Sequence, residues 1–211
     1  MPKTTHAKKR DAEATKKRIL ASAKKAFSKK GLAGARVDEI ADNAKANKRM
    51  IYHYFGNKEA LFLKTLEDAY TDIRQAEQKL ELDSLPPQEA LDKLVYFTWR
   101  YYLANPEFIT LVNSENLHRA KHLQKSQIIN EISQKFNSMV GKLLARGASE
   151  GVFRDDIDPV QLNITIAAIG YYYLTNRHTG SIIYKRNLGT KDAYDERLEF
   201  NLTTIRRLVH L

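Results

Sequence analysis

Apolar residues recur along most of the chain at helical spacing. Ile19, Ala23 and Phe27 stand at i, i+4 and i+8 with lysines on the other faces, the pattern of an amphipathic helix that begins near Thr15. Lys29, Lys30 and Gly31 close it, because cations suit a helix C-terminus and glycine tolerates the left-handed position beyond it. A short turn, 32–35, leads to a second helix, 37–44, whose stripe is Val37, Ile40, Ala41 and Ala44 and whose first turn carries Asp38 and Glu39. Lys45 and Ala46 turn the chain. Asn47 is placed to cap a short third helix, 48–54, because its side-chain oxygen can accept an orphan N–H. Gly56 ends that helix. Asn57 caps a fourth, 58 to about 82, with Leu61, Thr65, Asp68 or Ala69, and Ile73 on one side.

Prolines at 86, 87, 106 and 159 punctuate the remainder, and no run of β-branched alternation occurs between them. Further helices are predicted over about 87–104, 106–118, 126–150, 159–179 and 193–210, with Asp158-Pro159 as a cap followed by proline at the first helical position. Apolar residues fall on nearly every face of 159–179, so that helix should be buried on more than one side. The fold class is therefore all-α, with about nine helices.

Charge divides the chain. Residues 1–65 hold 17 of the 35 basic side chains and 6 of the 25 acidic ones, a net of +11 against +10 for the whole protein. A basic block beside a neutral one suits an anion-binding module joined to a module with another task. The first 14 residues read as a disordered basic arm. The absence of cysteine excludes disulfide scaffolds, thiolate zinc sites and cysteine nucleophiles. The most apolar run, 164–174, is 11 residues, where a membrane span needs roughly 20. Residues 1–14 lack a following apolar stretch and carry Asp11 and Glu13, so neither a secretory nor a transit signal is read and a cytoplasmic protein is expected.

The segment 37–59 has the proportions of a helix-turn-helix: two turns of helix, a tight turn and a short capped helix. Lys48, Arg49, Tyr52 and His53 should point outward from the third helix while Ile51 and Phe55 pack inward. Seven residues at about 1.5 Å each span roughly 10 Å, which fits a major groove about 12 Å wide. A generic three-helix bundle with solvated Lys and Arg would share these features. The wording of the sequence is more specific. Gly31-Leu32-Ala33-Gly34-Ala35-Arg36-Val37-Asp38-Glu39-Ile40-Ala41, followed by Asn47-Lys48-Arg49-Met50-Ile51-Tyr52-His53-Tyr54-Phe55-Gly56-Asn57-Lys58-Glu59-Ala60-Leu61, resembles the DNA-binding domain of the TetR/AcrR family of bacterial transcriptional regulators over about residues 15–65.

That resemblance implies roles residue by residue. Asn47, Lys48, Arg49 and Met50 would face bases. Tyr52, His53 and Lys58 would meet backbone phosphates, Tyr54 and Phe55 would divide between packing and phosphate contact, and Arg36 would lie near the backbone. Two departures stand out. Lys45 occupies a turn position where the family often has glycine, so it must tolerate an unfavourable backbone conformation. Ala35 and Arg36 replace a hydroxyl cap at the entry to the second helix. The implied organisation is a helix-turn-helix domain over 15–62 and an effector-binding and dimerisation domain over 63–211. The implied protein is a repressor that binds a near-palindromic double-stranded operator as a homodimer and is released by a small molecule, with the fourth helix as the only direct covalent lever between the two parts.

In the second part, aromatics crowd 96–102 and 171–173. Trp99, Tyr102 and Tyr172, with Asn113, Asn116, His118 and Asn176 as polar anchors, are the candidate effector contacts, Asn163 and Arg119 being further anchors. Leu162, Ile166 and Ile169, with Leu198, Leu202, Ile205 and Val209, are the candidate dimer contacts. Glu115, His118 and His122 could share one face of a continuous helix, but Arg119, Lys121 and Lys125 surround them and disfavour a cation, so no metal site is expected. No phosphate-binding glycine loop, His-Glu-x-x-His or Gly-x-Ser-x-Gly appears, so neither catalysis nor a cofactor is expected. An architectural DNA binder without a ligand is the other reading. The aromatic-rich 140 or so residues beyond the DNA-binding part argue against it.

Overall fold

A computed structural model describes the backbone of residues 3–210 and the side chains of residues 10–210. Among these residues there are nine α-helices and no β-strand. They are α1 (Lys3–Gly34), α2 (Val37–Asn43), α3 (Lys48–Phe55), α4 (Lys58–Gln78), α5 (Pro87–Ala104), α6 (Pro106–Leu117), α7 (Gln127–Ser149), α8 (Pro159–Ile183) and α9 (Lys191–Val209). Short 3-10 turns occupy Leu82–Ser84 and Leu123–Lys125. α1 starts at Lys3, so the stretch read as a disordered arm is helical from that residue; the side chains of Lys3, Lys8 and Lys9 lie outside the described residues.

The chain forms two compact units, one of residues 1–71 and 107–129, the other of 72–106 and 130–211. The units do not follow the boundary at 62/63 read from sequence, because α6 and the start of α7 belong with the helix-turn-helix. The chain also passes between them three times, within α4, at the start of α6 and within α7. α4 is therefore not the only covalent lever.

The core of the first unit is built by the stripes the spacing predicts. Ile19, Ala23, Phe27, Ile40, Ile51, Leu61 and Phe62 are all fully buried. On α4 it is Ala69, not Asp68, that continues the buried stripe. Phe27 meets Phe62 edge-on at 5.1 Å between ring centroids. α1 is broken at Gly31, whose φ of 66° needs the freedom of glycine. Lys45 holds φ 50° without that freedom, as its place in the turn requires.

In the second unit α5 packs against both α8 and α9. Leu91, Leu94, Val140, Leu143, Phe153, Leu162, Ile166, Leu202, Ile205 and Val209 form one core. Gly147 on α7 lies flat under the Phe153 ring: a Cβ there would come within 2.0 Å of it, so only glycine permits this helix to approach. Asp158 caps α8 by accepting from Gln161 N at 2.8 Å, and Thr190 caps α9.

This core corrects the dimer assignment. Leu162, Ile166, Leu202, Ile205 and Val209 are buried within their own chain, with Ile169 and Leu198 packed beside them. The large apolar side chains left exposed on these helices are others: Val160, Ile164, Tyr172, Ile182 and Ile183 on α8 and Phe200 on α9. On a helix apolar nearly all round, periodicity cannot separate the face that packs at home from the face left over.

Candidate nucleic-acid interface

α2, a tight turn and α3 form the helix-turn-helix. Val37, Ile40 and Ala41 bury one side of α2. Arg36 stands at its N-cap in extended conformation and makes no side-chain cap bond, as the missing hydroxyl predicts; Asp38 and Glu39 in the first turn complement the helix dipole instead. Asn47 caps α3, its Oδ1 accepting from Arg49 N at 2.8 Å. Ile51 is buried and Phe55 half-buried, so Lys48, Arg49, Tyr52 and His53 are left exposed along one side of α3. Met50 and Tyr54 are half-buried. Gly56, at φ 83°, ends the helix.

The surroundings of α3 are ionic. Lys48 Nζ lies 2.7 Å from Asp38 Oδ1. This hydrogen bond and charge pair hold the Lys48 ammonium above its ordinary range and the Asp38 carboxyl below its own. Both groups are half exposed, so water and salt screen the pair and Lys48 can exchange Asp38 for a phosphate cheaply. Lys30 pairs with Glu39 at 2.6 Å. Lys58 Nζ donates to Ala33 O at 3.1 Å, and Lys16 sits over the Tyr54 ring at 5.5 Å. Sequence reading missed Arg18. Its Nε donates to Ala44 O and its Nη2 to Thr15 Oγ1, so it holds the turn before α3 from a position 26 residues away, which spacing could not reveal.

The seven candidate effector residues divide between the two units. Asn113, Asn116 and His118 belong to the first unit and Trp99, Tyr102, Tyr172 and Asn176 to the second. Trp99 is buried, its ring edge-on to Tyr173 and Tyr194. Tyr172 and Asn176 line a cavity of about 400 Å³ beside Arg197 and Tyr184. Tyr102 lines a different one, of about 210 Å³, with Arg74 and Glu77 of α4, Phe136 and Asn137 of α7 and Asn163 of α8. Arg74 and Glu77 were not legible as cavity residues because charged positions on a helix read as a solvated face. Yet Glu77 is buried, and its carboxyl accepts from Arg74 Nη1 at 2.7 Å. Burial raises its pKa from 4.5 to about 7 against the opposing pull of Arg74.

Glu115 and His122 do meet, though not as metal ligands on one helix. α6 ends at Leu117 and the chain turns through Arg119 and Ala120, both left-handed at φ 55° and 57°. That turn folds His122 back so that its Nδ1 lies 2.7 Å from Glu115 Oε2, while Glu115 Oε1 accepts from the backbone N–H groups of His122 and Leu123. No cluster of three metal-ligating side chains occurs among the described residues.

An exposed, cationic and capped α3, in a chain that also carries a second helical unit, has the form of a helix-turn-helix DNA-binding protein. The comparisons make the class specific. Residues 19–65 match the model of bacterial regulatory proteins of the tetR family, and residues 87–205 the model of tetracyclin repressor-like C-terminal domains. The HTH-type transcriptional repressor NicS of Pseudomonas putida is 41% identical over 196 residues, 93% of this chain and 92% of NicS. The HTH-type transcriptional repressor SCO4008 of Streptomyces coelicolor is 39% identical over 51% of this chain and 53% of its own. A transcriptional regulator from Saccharomonospora viridis, solved in complex with choline, shares the fold at TM-score 0.72 and 17% identity, covering 93% of this chain and 97% of its own. The chain belongs to the TetR family of bacterial transcriptional regulators. No helix among the described residues is long and apolar enough to cross a membrane.

Proposed function

We propose that the protein is a repressor that binds a near-palindromic operator as a homodimer through α3 and leaves it when a small molecule occupies the 210 Å³ cavity of the second unit. The observation that carries the DNA reading is the capped α3, which keeps Lys48, Arg49, Tyr52 and His53 exposed within the basic third of the chain. Asn47, Lys48, Arg49 and Met50 read bases. Arg36, Tyr52, His53, Tyr54 and Lys58 position the backbone, with the α3 dipole assisting at its N-terminus. The experiment is selection of bound duplexes from a random pool. Arg49→Ala should relax the selected consensus at one position per half-site and cost about 1–3 kcal/mol, whereas Tyr52→Phe should weaken all sequences alike. An unchanged consensus with Arg49→Ala removes Arg49 from base reading.

The exposed faces of α8 and α9 support the dimer, which sets two recognition helices about 34–36 Å apart or a multiple of it. Ile164→Glu with Phe200→Glu should yield a folded monomer by light scattering, while the wild type runs as a dimer. A double variant that remains dimeric at micromolar concentration places the interface elsewhere. Leu202→Glu and Ile205→Glu, by contrast, should unfold the second unit, because those side chains sit in its own core.

The effector reading rests on α4, which lines the cavity with Arg74 and Glu77 and runs back to Lys58 beside the helix-turn-helix. A ligand shifts the DNA equilibrium only by its differential affinity for the two states. A hundredfold loss of operator affinity needs about 2.7 kcal/mol of coupling, and operator must then weaken the ligand by the same factor. Titration of ligand with and without operator measures both. An affinity identical in the two titrations shows that the ligand is not the inducer.

A further inference from the structure

Two side chains that line the cavity of the second unit each carry a buried polar atom that nothing among the described residues satisfies. One is the Arg74 Nε–H, the other Asn163 Oδ1. Arg74 is held by two contacts: its guanidinium lies over the Phe136 ring at 3.8 Å and its Nη1 donates to Glu77 at 2.7 Å. Asn163 donates its Nδ2 to Asn137 Oδ1 at 2.8 Å, which leaves its own oxygen over. Buried polar groups are seldom left unpaired. Both atoms belong to side chains that line the same cavity, so one molecule can satisfy both: an acceptor for a cationic donor, and a donor for a neutral acceptor.

The charge of that molecule follows from its surroundings. The only cation of the lining is Arg74 and the only carboxyl is Glu77. The face of Phe136, where a ligand cation would otherwise stack, is taken by the guanidinium. A cation would therefore press against Arg74, while an anion would complete it. Size sets the rest. About 210 Å³ lies below the roughly 300–1,000 Å³ of pockets that hold drug-sized ligands.

We propose that this cavity takes a small organic monocarboxylate that also carries a hydrogen-bond donor, its carboxylate on Arg74 Nε and its donor on Asn163 Oδ1. The inference rests on reading the cavity as the effector site. It has a consequence for protons. An added negative charge beside Glu77 favours the neutral form of that carboxyl, so binding near pH 7 takes up a proton. The charged and titratable neighbours of Glu77 are Arg74 and Asp72 on α4 and Tyr101 and Tyr102 on α5, Tyr101 donating to Asp72 at 2.7 Å. The linings of α7 and α8 present none. Burial and the Asp72 bond keep the Tyr101 hydroxyl un-ionised at neutral pH.

The test is calorimetric binding of 3-hydroxybutyrate and 3-hydroxybenzoate to the full-length protein, beside their amides and choline, in buffers of different ionisation enthalpy. At least one acid should bind at least tenfold more tightly than its amide, with net proton uptake at pH 7. Its affinity should fall between pH 6 and pH 8, where the acids themselves stay ionised. Arg74→Met should lose at least tenfold in affinity, and Glu77→Gln should abolish the uptake. Binding of neither acid at 10 mM, an amide or choline that binds as well, or proton release instead of uptake overturns the proposal; the wild-type proton count decides even if Arg74→Met fails to fold. The two readings separate. An acid that binds with uptake but leaves operator bound refutes the effector role and keeps the ligand class. Choline or an amide that binds and releases operator does the reverse.

Discussion

Glu115→Ala is expected to destabilise the DNA-binding unit by about 3–5 kcal/mol, because it leaves three buried hydrogen-bond donors without their acceptor. The carboxylate is 1% exposed and accepts three hydrogen bonds, from His122 N at 2.7 Å, Leu123 N at 2.9 Å and the His122 ring at 2.7 Å. Alanine leaves all three donors inside, at about 1–3 kcal/mol for each buried group without a partner. It also removes the counterweight to the turn before them, in which Arg119 and Ala120 hold left-handed conformations that cost roughly 1–2 kcal/mol per non-glycine residue. The effect should reach the operator. The His122 ring lies edge-on to Phe62 at 5.2 Å, and Phe62 meets Phe27 of α1 at 5.1 Å. Loss of the clasp therefore loosens the packing on which the helix-turn-helix rests. Urea unfolding and operator titration of the same variant measure the two effects. A Glu115→Ala protein within 1 kcal/mol of wild type would mean that the turn is held by something other than this carboxylate.

The same turn marks where sequence reasoning stops. Ile19, Ala23, Phe27, Ile40 and Ile51 were legible because local periodicity and core burial agree there. Asn47 was legible because a cap is a matter of two residues. Glu115, His118 and His122 could share a face only on a continuous helix, and nothing in the spacing announces a chain reversal at Arg119 and Ala120, neither of them glycine. Their chemistry was right in kind, imidazole against carboxylate, but the pair is a structural clasp. Lys45 shows the converse: the glycine usual at that turn in the family implied the left-handed backbone that Lys45 adopts. Leu162, read as a dimer contact, is buried by the chain's own core, whereas Ile164 on the same helix is left exposed, because the two are equally apolar and only packing distinguishes them. Of the three aromatics named as effector contacts, Tyr102 and Tyr172 line separate cavities and Trp99 packs into the core. Trp99 is enclosed by Tyr173 and Tyr194, whereas the cavity is furnished by Arg74, Glu77 and Asn163.

Glu77 carries the second large effect, a stability that falls as pH rises. Its carboxyl would titrate at the ordinary 4.5 in the unfolded chain and at about 7 in the folded one, because burial outweighs the attraction of Arg74. Below 4.5 both states hold the proton, and the group adds no penalty. Between 4.5 and about 7 the folded state keeps the proton and the unfolded state releases it, so each step up in pH favours unfolding. Above 7 both are ionised, and the folded protein bears the whole cost of a charge held at low polarity, about 3 kcal/mol from the displacement of the two values. Glu77→Gln cannot ionise. Its stability relative to wild type should therefore rise steadily from pH 5 to pH 7 and level off near pH 8, by an amount on the order of 3 kcal/mol across the window. The comparison cancels the other carboxylates and histidines, which titrate alike in both proteins. Denaturant midpoints at pH 5, 6, 7 and 8 supply the curve. If the difference between the two proteins is flat over that range, Glu77 is ionised in the folded state throughout. The Arg74 pair then prevails over burial, and the cavity is neutral before any ligand arrives.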